Sequence, residues 1–198
     1  AIILDLEDSV PLDQKNTARL GLASIINRLI NQKSDILVRI NRPLVDAVPD
    51  LIAASIPGVD ALMLPKIDSP QHLWLLEEVV AEREIKTGLK SGSIKFVPMI
   101  ESAKGFFHMH EIAAASKRNV GITLGGEDFA LDTGMIPDGE TLFMASQKLV
   151  YAARAANIIP LGTIGTVADF KDLIAYRKCA VKSQKFGFEG AACIHPGV

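Results

Sequence analysis

The chain is poor in the features that mark a disulfide scaffold, a nucleic-acid binder or a membrane protein. Only Cys179 and Cys193 occur in 198 residues, too few for a disulfide framework or a cysteine metal cluster. A reducing cytoplasm is the expected compartment. Aromatic residues make up 6% and are not interleaved with basic ones. Lys and Arg number 21 against 23 Asp and Glu, with no basic tract, so no nucleic-acid partner is expected. No apolar stretch is long enough to span a bilayer, and no membrane association is expected. No Gly-x-Gly-x-x-Gly follows a strand, and Gly125-Gly126-Glu127 lacks that spacing, which weakens a dinucleotide-binding reading. Low-complexity segments and interior linkers are also lacking. The chain opens directly on an apolar run, so no signal peptide is expected and residues before Ala1 are expected to be missing.

What is present is a core-forming composition. At 48% hydrophobic, residues 1–198 are expected to form one domain around one core. Short β-rich runs cover Ile2–Leu6, Ile36–Ile40, Ala61–Leu64, Lys95–Ile100, Gly121–Leu124, Ile158–Ile164 and Ala191–Ile194. They end near Asp8, Asn41, Lys66, Glu101, Asp128, Gly165 and His195. That is the beat of strand, loop, helix and loop. Most runs are apolar on both faces, as parallel strands covered on each side must be. Between them, Ser69-Pro70 predicts a capped helix start, with Leu73, Leu76, Val79 and Val80 at helical spacing. Ser102 is expected to cap a helix over 103–115, and Asp13 one running to Ile30. Further helices are expected over 141–156 and 169–182. Seven strands with intervening helices predict a (β/α)8 TIM barrel lacking its first strand; a doubly wound open sheet is the alternative.

Acidic residues sit where the apolar runs stop: Glu7-Asp8, Glu101 and Glu127-Asp128. In α/β proteins that end of the sheet is the working end. Two carboxylates from different strands can hold a hard cation such as Mg²⁺ and leave positions open for substrate. Glu101 and Asp128 are the expected pair, each also readable as a helix cap. Asp5, Glu7 and Asp8 are costly neighbours unless a cation or an arginine offsets them. Asp5 and Glu7 share one strand parity, while Asp8 lies in the loop. Arg39, inside an apolar strand, needs a partner: Asp5 or Glu7, or a substrate carboxylate gripped bidentately. Lys66 at a strand end reads as an ion-pair member or as a Schiff-base nucleophile. His195 ends Ile194-His195-Pro196 as a candidate base. His72, His108 and His110 fall in helical patterns, and His108 and His110 face different helix sides.

These motifs together resemble a known family. Leu4-Asp5-Leu6-Glu7-Asp8-Ser9-Val10, Val38-Arg39-Ile40-Asn41, Leu64-Pro65-Lys66, Met99 to Gly105, Gly125 to Phe129 and Ile194-His195-Pro196 occur in the order found in the citrate lyase beta subunit-like family. That family lies within the HpcH/HpaI aldolase superfamily, with malyl-CoA and citramalyl-CoA lyases. The resemblance covers essentially the whole chain. It implies a (β/α)8 barrel, usually a homotrimer, that binds Mg²⁺ and cleaves or forms 3-hydroxy-acyl-CoA thioesters by aldol chemistry. It places the metal on Glu101 and Asp128 and the substrate carboxylate on Arg39, and sets Glu7 and Asp8 behind the ion through water. Asp8, Glu7 and Arg39 are then the catalytic candidates, and Arg39, Glu101 and Asp8 the substrate-binding ones.

This sequence departs from the family's pattern in four places. It lacks the family's preceding strand and its C-terminal extension. The loops after Asn41 and Phe129 look shorter. Pro160 to Gly165 lacks an acidic residue common there. The alternatives are a subunit acting on citryl-acyl carrier protein, a Schiff-base aldolase using Lys66, or an idle scaffold.

Overall fold

The computed structural model describes residues 1–165 and 172–193. Strands and helices alternate: β1 (Ile2–Asp5), α1 (Lys15–Leu29), β2 (Ile36–Arg39), α2 (Leu44–Ala54), β3 (Ala61–Leu64), α3 (Pro70–Thr87), β4 (Lys95–Ile100), then α4 (Ala103–Phe107) and α5 (Met109–Ala114). After them come β5 (Gly121–Leu124), α6 (Gly126–Thr133), α7 (Phe143–Ala155), β6 (Ile159–Leu161) and α8 (Leu173–Lys185).

The six strands form one parallel sheet in the order β1-β2-β3-β4-β5-β6. A doubly wound sheet reverses its strand order at a switch point; here every strand lies beside its sequence neighbours, as in the wall of a (β/α)8 barrel. No strand forms over the described part of the seventh expected run, Ala191 to Cys193; the residue before it, Gly190, makes one parallel bridge to Leu161. Ile194, His195 and the motif they belong to lie outside the described residues, as does the predicted start of the last helix.

Strand parity divides the side chains into two layers. Outward residues such as Leu62, Leu64, Phe96, Ile100 and Ile122 pack with Ile26, Leu51, Leu73, Ile112 and Leu149 of the helices in the main core. Each such buried side chain contributes about 1.5–3 kcal/mol. Inward residues Met63, Val97 and Met99 form a smaller cluster, with Leu37, Val120 and Leu161 against it. The register aligns Asp5 with Arg39, Arg39 with Met63 and Met63 with Val97. Asp5 and Arg39 therefore stand in the same inward layer as the methionine and valine.

Several helix limits follow local chemistry. The Ser69 side chain accepts from the His72 N–H, with Pro70 in the first turn, and Gly88 ends α3 at φ 70°, as a left-handed cap requires. Ser102 accepts from the Gly105 N–H as expected, but the helix breaks at His108 into α4 and α5. Asp13 does not cap α1; it lies within a 3-10 turn, Leu12–Gln14, and α1 starts at Lys15 without a side-chain cap. Two helices, α2 and α6, escape the sequence pattern. Pro49 inside α2 reads as a breaker, and α6 starts within Gly125-Gly126, which reads as a turn. Tertiary bonds secure α2: fully buried Asp50 accepts from Arg19 of α1 and from the Asn41 backbone and side chain.

A buried ion pair anchors the opposite end of the sheet. Both Glu84 oxygens take Arg118 N–H groups at 2.8 Å, and also the Gly92 and Ile94 N–H groups. Burial alone would raise the Glu84 carboxyl, but Arg118 and those backbone N–H groups hold it at about 2. This contribution to stability is present above the ordinary value of 4.5 and is lost as pH falls through about 2. Glu84→Ala leaves the buried Arg118 with only Glu77 at 3.2 Å and the Ile94 carbonyl, and is expected to lower stability by about 3 kcal/mol. Urea unfolding at pH 7 measures that loss, and the gap between variant and parent should narrow as pH falls from 4.5 toward 2.

Candidate functional site

The inward side chains and the loops after the strands enclose a cavity of about 470 Å³, lined by Asp5, Asp8, Arg39, Met63, Met99, Glu101, Thr123, Glu127, Asp128, Thr163 and Cys193 among others. Its polar end is built from the acids that the sequence marks at its strand ends. Glu101 follows the last residue of β4 with the parity of Val97 and Met99, so its side chain turns inward. It is 5% exposed. Its carboxylate caps no helix; Oε2 accepts the Lys66 backbone N–H at 2.7 Å. Asp128 is not at a strand end. It is the third residue of α6, because the chain turns at Gly125 before the acids.

Gly125 explains how the Glu101 carboxylate fits. The register pairs Ile100 with Leu124, so Glu101 faces Gly125. A β-carbon on Gly125 would lie 2.3 Å from Glu101 Oε1. Only glycine leaves that space to the carboxylate.

On the β1–β2 side, Arg39 forms a fork-to-fork pair with Asp5, at 2.7 Å from Nε and 2.6 Å from Nη2. Its Nη1 reaches Asp8 Oδ2 and Glu7 Oε2, each at 3.1 Å. Both partners foreseen for Arg39 inside the protein, Asp5 and Glu7, are engaged, and Nη1 is the end turned toward the loop. Burial works to raise the Asp5 carboxyl, but Arg39, Ser9 and the Glu7 N–H hold it at about 2. Burial works against the Arg39 cation, yet Asp5, Glu7 and Asp8 hold its pKa above the ordinary value. The buried Lys15 ammonium donates to the Leu6 and Glu7 carbonyls, fixing the loop that carries the acids. No pattern in the sequence marks this role for Lys15.

Lys66 joins the two sides. It has φ 50°, a left-handed conformation that disfavours side-chained residues. This bend sends its N–H to Glu101 and its ammonium to Asp128 Oδ2 at 3.1 Å, with Glu7 Oε1 at 4.0 Å. Burial pulls the Lys66 pKa down, but Asp128, Glu7 and Glu101 outweigh it and the net shift is upward. A Schiff-base lysine needs the opposite shift.

Five carboxylates (Asp5, Glu7, Asp8, Glu101 and Asp128) therefore share two cations, Arg39 and Lys66. The excess negative charge is visible in the buried acids. Burial is the largest cause raising Glu7 to about 7, with Asp8 and Asp5 adding to it against Arg39 and Lys66. Burial likewise leads in raising Glu101 to about 7, with Glu7 and Asp128 adding. Glu7 Oε2 is buried and makes no hydrogen bond, because Arg39 Nη1 approaches it outside hydrogen-bonding geometry. An oxygen-only donor set with unmatched charge and an unused buried acceptor fits a hard divalent cation. Among the described residues no group of three or more His, Cys, Asp or Glu side chains is gathered for a metal. Mg²⁺ suits such a set, since it is commonly held by one or two carboxylates with waters and substrate completing the shell.

His72, His108 and His110 do not line the cavity; the His108 ring contacts the Lys104 carbonyl. His195 lies outside the described residues. Gly125, Thr123, Thr163 and Cys193 belong to the cavity without having been singled out as site residues. For Gly125 the doubled glycine before two acids was the available signal.

The model of the HpcH/HpaI aldolase/citrate lyase family matches residues 1–196. The citrate lyase subunit beta of Haemophilus influenzae is 34% identical over 200 residues, which is 99% of this chain and 68% of that protein. An L-malyl-CoA/beta-methylmalyl-CoA lyase of Cereibacter sphaeroides is 34% identical over 218 residues, 98% of this chain and 67% of that one. Some curated relatives are covered over only 65% of their length, so the chain spans about two thirds of these proteins. Among solved structures, RipC from Yersinia pestis superposes with a TM-score of 0.81 at 27% identity, covering 98% of this chain and 83% of that chain. The citrate lyase beta subunit of M. tuberculosis, complexed with oxaloacetate and magnesium, superposes with a TM-score of 0.74 at 27% identity, covering 99% of this chain and 82% of that chain.

The raised carboxyls predict a pH-dependent cost. A carboxyl raised from 4.5 to about 7 destabilises the folded state fully above pH 7 and not at all below 4.5. Glu101→Gln removes one such charge and keeps an acceptor for the Lys66 N–H. In buffer with EDTA its thermal midpoint should exceed the parent's at pH 8, by a stability gain of roughly 2 kcal/mol, and match it at pH 4.5. An equal difference at both pH values would contradict the assignment.

Proposed function

Because the chain belongs to the HpcH/HpaI aldolase/citrate lyase family, we propose that it is a Mg²⁺-dependent carbon–carbon lyase. It would cleave or form a 3-hydroxy-acyl thioester such as malyl-CoA or citramalyl-CoA, giving acetyl-CoA and a 2-oxo acid. The observation that carries this reading is the meeting of Glu101, Asp128 and the Nη1 end of Arg39 around one cavity at the C-terminal rim of the sheet. Mg²⁺ bound to relatives, as in the M. tuberculosis protein with oxaloacetate, supports the cofactor. The two thioester classes named among the relatives, citrate lyase beta subunits and malyl-CoA lyases, leave free CoA and an acyl-carrier protein as equal candidates for the thiol.

Glu101 and Asp128 would hold the cation, whose chemistry is to stabilise the oxyanion that develops as the carbon–carbon bond breaks. Arg39 is braced by Asp5 through Nε and Nη2; its Nη1, shared with Glu7 and Asp8 at 3.1 Å, would exchange those contacts for the substrate carboxylate and hold the scissile bond in place. Asp8, on the open loop beside Nη1, is positioned to take the proton from the substrate hydroxyl. Glu7 stands behind it, raised to about 7, in the range where a carboxyl exchanges protons readily near neutral pH. Met63 and Met99 line the same cavity and would give an apolar wall beside the enolate, which takes up one proton, equivalent to the one removed from the hydroxyl, to leave as acetyl-CoA. The raised pKa of Lys66 argues against the Schiff-base alternative. Exposed apolar side chains on α4 and α6–α7, Phe107, Leu131, Ile136 and Met144 among them, support a homo-oligomer, a trimer by family resemblance.

The test is acetyl-CoA release from malyl-CoA and from citramalyl-CoA, each with Mg²⁺ and with EDTA. Cleavage of one substrate only with Mg²⁺ is the expected result. Glu101→Ala should lower kcat by about 10³-fold or more while far-UV circular dichroism is unchanged; full activity in that variant would remove the metal assignment. Cleavage of the carrier-bound thioester alone would select the citrate lyase beta reading. Gly125→Ala, which drives a β-carbon into the Glu101 carboxylate, should mimic Glu101→Ala in activity.

A further inference from the structure

Lys66 touches both proposed metal carboxylates, and it does so in two ways. Its backbone N–H holds Glu101 Oε2 at 2.7 Å, and its ammonium holds Asp128 Oδ2 at 3.1 Å. Glu7 Oε1 lies 4.0 Å from the same ammonium. The other nearby cation, Arg39, is engaged by Asp5, Glu7 and Asp8. Lys66 Nζ is thus the positive charge seated among Glu7, Glu101 and Asp128, and its left-handed backbone (φ 50°) is the bend that brings N–H and ammonium to the same pair. Strain of this kind persists only where the surroundings impose it, and it collects at functional sites.

We propose that Lys66 is a built-in rival of the divalent cation: its ammonium contends for Asp128 and so sets how tightly the site holds metal. The inference rests on the reading of Glu101 and Asp128 as the metal carboxylates. Its physical basis is charge. A divalent cation held by Glu101 and Asp128 would share Asp128 with the ammonium that sits 3.1 Å from its Oδ2, and like charges drawn to one carboxylate repel strongly in a partly buried site. The ion must displace the Lys66–Asp128 pair or share Asp128 with it, and either weakens binding. The backbone N–H, which any non-proline residue supplies, goes on holding Glu101. Lys66 therefore acts as a positioning residue: its main chain orients one ligand, and its side chain tempers the affinity of the other.

Mn²⁺ binding, followed by electron paramagnetic resonance of the free ion and by calorimetry at one fixed pH and ionic strength, tests this on the full chain without turnover. Lys66→Met removes the charge and keeps the N–H. It should bind Mn²⁺ tighter, on the order of tenfold or more, and Lys66→Gln should do the same. Lys66→Arg keeps the charge and should bind as the parent does. Parent binding that is unchanged or weakened in Lys66→Met and Lys66→Gln overturns the rivalry while leaving the metal site intact. No Mn²⁺ binding by the parent, or binding undiminished in Glu101→Ala, overturns the metal reading and this inference with it.

Discussion

Like charges repel, and this fold brings Asp5, Glu7, Asp8, Glu101 and Asp128 to one rim with Arg39 and Lys66 as the cations in contact with them. Much of the surrounding architecture manages that imbalance. Asp5 is neutralised outright by the two parallel bonds from Arg39. Glu7 is held from behind by Lys15 through its carbonyl, but its side chain keeps a buried, unsatisfied oxygen. Glu101 is buried and leans on a single backbone N–H. The charge left over is of the kind that a hard divalent cation would offset.

The parallel sheet makes this concentration possible. Every strand enters from the same side, so every strand-end residue emerges at the same rim. Parity then selects which of them turn inward. Asp5 and Arg39 lie in register, and Glu101 faces Gly125 across β4 and β5. The opposite side of the core bears the stability: Glu84 and Arg118 are buried and mutually satisfied, whereas the rim acids are left partly unsatisfied. Satisfied and unsatisfied charge are thus separated along the strand axis.

Most of the strands were legible because a doubly covered parallel strand is apolar throughout, and β3, β4 and β5 have the limits that this pattern predicts. The helix caps at Ser69 and Ser102 were legible because a hydroxyl before the first turn has one use. Helices α2 and α6 were not legible. In α2 the securing bonds come from distant residues, Arg19 and Asn41 to Asp50, and α6 begins at a doubled glycine that reads locally as a turn. The split at His108 and the 3-10 turn before α1 are likewise decided by packing.

The sequence by itself determined the α/β class, the rhythm of strands and helices, and the set of acids at the working end, because apolar periodicity and strand-end charge are local properties. It also carried the family's motifs in order. Only the tertiary structure decided how those acids are shared out: that Arg39 is braced by Asp5, that Asp128 stands in a helix turn, that Glu101 needs a glycine opposite it, and that Lys66 links Glu101 to Asp128. These depend on register and on contacts between residues tens of positions apart, and pairing across a sheet leaves no trace in the local pattern of either strand.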